Sequence, residues 1–234
     1  GATHGDEVGG TGPRPHEDHV AGAGRGACGS HAVSAAAVSG GIDGISADNR
    51  GTGALSVTST GAVTGTSGAG IYARNVSTST SLTISAAAVT GATEGIYASN
   101  YGTGALSVTT TGAVTATTGR GIYAKASTAG TDLTISTAAV TGRTEGIRAD
   151  NSGTGALSLT TTGDVTGTTS DGILAINSSA GTSLTIAAAS VSGRANGIFS
   201  RNYGIGALSV TASGTVTGTD GRGIYAQNLG TAGT

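Results

Sequence analysis

A 51-residue period restricts what this chain can fold into more than any other feature. The phrase Gly-Ala-Leu-Ser-Val-Thr-Ser-Thr-Gly that begins at Gly53 returns with small changes at Gly104, Gly155 and Gly206. A second phrase, Gly-Ile-Tyr-Ala or a relative, starts at Gly44, Gly70, Gly95, Gly121, Gly146, Gly172, Gly197 and Gly223. These starts are spaced alternately by 26 and 25 residues, so each unit is two unequal halves. A repeat of that size marks a solenoid, in which one half cannot bury its apolar face alone and must stack on a neighbour. A half offers about five inward apolar side chains, too few to offset the ordering of about 25 residues of backbone.

Three apolar landmarks recur in each half. The first is Leu-x-Val or a relative, headed by Leu55, Leu82, Leu106, Leu133, Leu157, Leu184 and Leu208. A lone valine follows at Val38, Val63, Val89, Val114, Val140, Val165, Val191 and Val216. Ile-x-Ala or a relative completes the half at Ile45, Ile71, Ile96, Ile122, Ile147, Ile173, Ile198 and Ile224. Apolar and polar residues alternate strictly within Leu55-Ser56-Val57-Thr58 and Ile71-Tyr72-Ala73-Arg74, which is the strand period. Segments dominated by Gly, Thr, Ser and Val are poor helix formers, so helical solenoids are excluded. The expected fold is therefore all-β: a single-stranded parallel β-helix of about eight rungs of 25 or 26 residues. At roughly 4.8 Å per rung, eight rungs make a rod on the order of 38 Å long.

Residues 1–30 stand apart from the array at 31–234. They hold both prolines and three of the four histidines, and read as a flexible leader or poorly formed N-terminal cap. His4, His16 and His19 are spaced by 12 and 3 residues, which matches no established ligand pattern, so no metal is expected. The single Cys28 permits no internal disulfide. At the first rung His31 takes the leucine position. The next leucine would fall just past Thr234, so the array is expected to be a piece of a longer solenoid. A net charge of -2, with 10% charged residues, gives no electrostatic reason to bind nucleic acid or anionic membrane. No apolar run is long enough to span a bilayer.

Two polar or aromatic rows follow the period. Asn49, Asn75, Asn100, Asn151, Asn177, Asn202 and Asn228 each stand four residues past a rung isoleucine, with Ala126 the one exception. Inward turn asparagines at that place stack as a ladder, each amide bonding the next rung. The ladder accounts for all seven, whereas a glycosylation acceptor pattern fits only Asn75-Val76-Ser77 and Asn177-Ser178-Ser179. The residue after each isoleucine points outward and is aromatic at Tyr72, Tyr97, Tyr123, Phe199 and Tyr225, five of the chain's seven aromatics. Such a row serves either as a contact stripe or as mutual stacking that steadies the rungs.

Catalytic chemistry has little to stand on. Glu94 and Glu145 lie 51 residues apart, but their next copy is Asn196; Asp164 and Asp171 occur singly in turns. His31 is the only histidine of the array, so no Ser-His-acid set forms there. No catalytic residue and no cofactor is expected. A polysaccharide-active enzyme is the first alternative. An ice-binding solenoid is the second, suggested by the Ser/Thr row Ser39, Thr64, Thr90, Thr115, Thr141, Thr166, Ser192 and Thr217; ordinary β-propensity explains that row more simply.

The phrases GIYAxN, GTGALSVTTTG and AAAVTGATEGI resemble the passenger regions of bacterial autotransporters, the type V secreted proteins of Gram-negative cells. The resemblance covers residues 31–234. It implies a right-handed parallel β-helix, anchored through a C-terminal outer-membrane barrel and displayed at the cell surface or outside the cell. Together with the unbroken repeat, the lack of site chemistry and the outward aromatic row, it leads to the expectation of a non-enzymatic stalk or adhesin whose partners are itself or host and cell-surface ligands. This segment itself is expected to touch neither membrane nor nucleic acid.

Overall fold

The computed structural model describes residues 29–230, together with the backbone of the strand Val20–Gly24. Every regular element among them is a β-strand, and they form three parallel sheets. A coil runs from a five-residue leucine strand such as Leu55–Ser59, through a three-residue valine strand, Val63–Gly65, to a five-residue isoleucine strand, Ile71–Asn75. Each strand pairs with its equivalent one coil below and one above, giving leucine and valine sheets of eight strands each and an isoleucine sheet of nine. Among the described residues no helix is long and apolar enough to cross a membrane.

The register is residue upon residue. Leu82 pairs with Leu55 and Leu106, Val89 with Val63 and Val114, and Ile96 with Ile71 and Ile122. A one-residue slip would turn every apolar side chain outward, so the alternation in sequence pins the pairing. The unequal halves do not disturb it. Leucine-to-valine and valine-to-isoleucine steps take 8 residues in one half and 7 in the other, and isoleucine-to-leucine 11 or 10. Each extra residue is absorbed at a corner while strand lengths stay constant.

The three landmark rows fill the interior and are almost wholly shielded from solvent through the middle of the rod. At the last described coil Leu208 and Val216 are half-buried and Ile224 is 44% exposed, because no described coil stacks above them. At the first, His31 pairs with Leu55 and Val33 with Val57, as the spacing requires. The segment before residue 31 contributes one strand. Val20–Gly24 pairs in parallel with Ile45–Asn49, placing Val20 on Ile45. The 25-residue offset is the repeat spacing, hidden in sequence because Gly22 and Gly24 replace the usual Ala and Asn. His4, His16, His19, Cys28 and both prolines lie outside the described residues.

Glycine precedes each rung isoleucine because the next coil's valine corner comes close there. A Cβ at Gly146 would lie 2.6 Å from Val165 Cγ1 and 2.7 Å from the Gly172 carbonyl oxygen. Gly146→Ala is expected to cost about 1–3 kcal/mol through overpacking. Gly41→Ala, where nothing lies within 4 Å of the added carbon, should be nearly neutral. Denaturant midpoints of the two variants check this, and equal midpoints would contradict the close approach.

Candidate functional site

The asparagines close the isoleucine strands rather than occupying turns: each is the last strand residue, and six of the seven point into the interior with almost no exposure. Asn49 Nδ2 donates to Asn75 Oδ1 at 3.1 Å, and Asn75 to Asn100 at 3.1 Å. Asn151, Asn177 and Asn202 donate upward in the same way at 3.0, 2.9 and 3.0 Å, the last to Asn228, which is itself exposed. The other amide proton goes to a corner carbonyl, such as Gly53 at 2.9 Å or Ser81 at 2.7 Å. In alternate coils Oδ1 also accepts the backbone N–H two residues on, as from Gly51 and Gly153. The buried amides are thereby paired, as low-dielectric interiors demand. Ala126 splits the ladder into runs of three and four. Asn75 and Asn177 are fully buried with their amides engaged, which closes both glycosylation patterns in the folded chain.

The aromatic row also forms in register: Tyr72, Tyr97, Tyr123, Arg148, Leu174, Phe199 and Tyr225 follow one another up the outside of the isoleucine sheet. Tyr72 and Tyr97 stack with centroids 4.9 Å apart and planes 4° apart. Tyr97 meets Tyr123 edge-on at 5.5 Å, and Phe199 stacks on Tyr225 at 5.0 Å. A centroid separation near the strand spacing means that stacked rings stand edge-outward, with their faces taken up by one another. All five are half-buried. Burial raises the Tyr72 and Tyr123 phenols above their ordinary value of 10.0.

Charged groups form ladders too, which inspection of separate carboxylates misses. Glu94, Arg120 and Glu145 occupy one corner on three successive coils, with Arg120 Nη1 3.8 Å from Glu94 and Nε 3.2 Å from Glu145. The Nε proton is not aimed at the carboxylate, so the attraction is coulombic rather than a hydrogen bond. The 26- and 25-residue spacings of this trio were the available signal. Asp171 accepts from the Asn196 backbone and side-chain nitrogens at 2.9 and 2.8 Å, whereas Asp164 is exposed at a different corner. The structure brings these carboxylates to no common cleft. Among the described residues no three His, Cys, Asp or Glu side chains gather as a metal would need.

The Ser/Thr row from Ser39 to Thr217 lies in register on the outside of the valine sheet. Corner threonines near it bond the coil below: Thr168 and Thr169 both donate to the Arg143 carbonyl, at 2.8 and 2.7 Å. Sequence reading also passed over Tyr101. Its ring has the Arg74 guanidinium 5.4 Å from its centroid and the Lys125 ammonium 5.9 Å away. Comparison with protein-family models, with curated proteins and with solved structures found no match to this chain.

Two outcomes follow from this geometry. Asn151→Ala should cost about 1–3 kcal/mol by leaving buried partners unpaired. Ala126→Asn should instead add about 1 kcal/mol by joining the two runs; Gly130 there matches Gly181, whose lack of a Cβ leaves room for the Asn177 amide. Denaturant midpoints that fail to move in opposite directions would count against a continuous buried ladder. A raised phenol pKa stabilises the fold below the unfolded value and is lost as pH rises through the folded one. Stability should therefore fall above pH of about 10, and less steeply in a Tyr72→Phe/Tyr123→Phe variant. Identical alkaline melting profiles would contradict burial of these phenols.

Proposed function

We propose that the chain is a non-enzymatic rod, displayed at the surface of a Gram-negative cell as part of an autotransporter passenger, where it acts as a stalk and presents an adhesive face. The observation that carries the reading is the unbroken residue-on-residue stacking, in which the core, the asparagines and most ionic groups serve coil-to-coil contact. Glu94, Arg120, Glu145, Asp171, Arg194 and Asp220 all pair or bond with a neighbouring coil. Tyr72, Tyr97, Tyr123, Phe199 and Tyr225 act first as a stacking ladder, and self-association through their exposed edges is the second part of the proposal.

A stalk makes reach proportional to repeat number. One 51-residue unit is two coils, or about 10 Å of rod. Arrays with two, four and six units, displayed on cells behind an outer-membrane barrel, should project an N-terminal tag in equal steps. Cell clumping should fall when the five ring residues are replaced by Ser in a variant that folds and is displayed equally. Reach independent of unit number would reject the stalk, and unchanged clumping would reject the adhesive stripe. Saturable polysaccharide cleavage by the purified array would overturn the non-enzymatic reading.

A further inference from the structure

Most ionic groups on the outer face of the isoleucine sheet are already paired. Asp48 meets Arg50 at 2.8 Å, Asp150 meets Arg148 at 2.8 Å, and Arg120 lies between Glu94 and Glu145. Arg74, Lys125 and Arg201 on that face, and Arg143 at a corner, form no such pair among the described residues; Arg74 and Lys125 have Asp48 and Asp150 as in-register neighbours on the sides away from Ser99. Arg74 and Lys125 are both held by the ring of Tyr101. They sit in register one coil below and one coil above Ser99, hence roughly 10 Å apart along the rod axis. Ser99 is 1% exposed between them, and its hydroxyl has no hydrogen-bond partner. A cation–π contact orients an ammonium or guanidinium without neutralising it, so both retain donors for an anion.

We propose that Arg74, Tyr101 and Lys125, with the Ser99 hydroxyl beneath, form a binding site for an acidic polysaccharide lying along the rod. Two fixed cations two coils apart match carboxylates or sulfates carried on every second sugar of an acidic polymer lying along the axis. The outward Tyr72 and Tyr97 edges on the neighbouring file supply polar groups for sugar hydroxyls. Nucleic acid fits less well. Its affinity is built on many phosphate contacts, and bases need an open aromatic face, whereas Tyr101 is flanked by both cations and Tyr97 is stacked. The site does not depend on where the rod is displayed, so its failure would leave the stalk reading standing.

The test is binding of the purified full chain to oligogalacturonate and to a sulfated heparin oligosaccharide, with neutral dextran and single-stranded DNA as comparators. Saturable binding of at least one acidic sugar is expected, weakening with salt and absent for dextran. Arg74→Gln/Lys125→Gln should weaken it by about tenfold or more with an unchanged melting temperature. Arg194→Gln, a cation paired to Asp220 at 2.8 Å on another corner, should change it less than about twofold. A carboxylated ligand preferred over a sulfated one, or the reverse, identifies the anion. Absence of saturable binding, equal loss in Arg194→Gln, or tighter binding of DNA would each overturn the proposal.

Discussion

Parallel, in-register pairing of each coil with the next is the constraint on which the rest of this molecule depends. Strand N–H and C=O groups in the middle of the rod find partners one coil away, so stacking satisfies the backbone and aligns equivalent side chains in one step. A residue's closest neighbours are therefore its own copies at spacings of 24 to 27 in sequence. Whatever chemistry a position carries is repeated along the axis, and it must be compatible with itself. Leucine, valine and isoleucine meet that demand by packing, asparagine by donating and accepting at once, and tyrosine by stacking.

Like charge cannot be repeated at that spacing without repulsion, and the corners show the response. Arg120 stands between Glu94 and Glu145, and Asp171, which follows Glu145 in the same row, accepts from both Asn196 nitrogens on the next coil. On the isoleucine face Arg74, Ser99 and Lys125 share a row in which an uncharged residue separates the two cations. The aromatic row is interrupted at Arg148 and Leu174, and the asparagine ladder at Ala126. These departures are where the rod stops being uniform, and they confine any specific recognition to particular coils. The acidic-sugar site proposed above occupies one of them.

Much of the architecture was legible in the chain because period-two alternation and the 25/26 spacing together leave one register. Leu106 and Ile122 were assigned to the core on that basis, and both are fully buried. The asparagine row was legible for the same reason, although its residues end strands rather than occupy turns. Three things escaped. Val20–Gly24 was missed because its glycines conceal the motif while the backbone still pairs. Arg120 was missed because Glu94 and Glu145 were compared at the 51-residue period, one coil too far. Tyr101 falls outside the aromatic row and gains meaning only when Arg74 and Lys125 arrive from the coils on either side. Contacts between unlike residues one coil apart are visible in a sequence only after the half-repeat has been aligned.

Coil-to-coil pairing continues through all three sheets, including the short valine strands. Residue-resolved hydrogen exchange under native conditions tests it most directly. Strong protection is expected at Val89, Val114, Val140 and Val165, comparable with Leu106 and Ile122 on adjoining strands, because each valine N–H donates to the next coil at 2.9 Å. Free exchange along the valine strands, with protection kept only in the leucine and isoleucine strands, would contradict a continuous three-sheet solenoid.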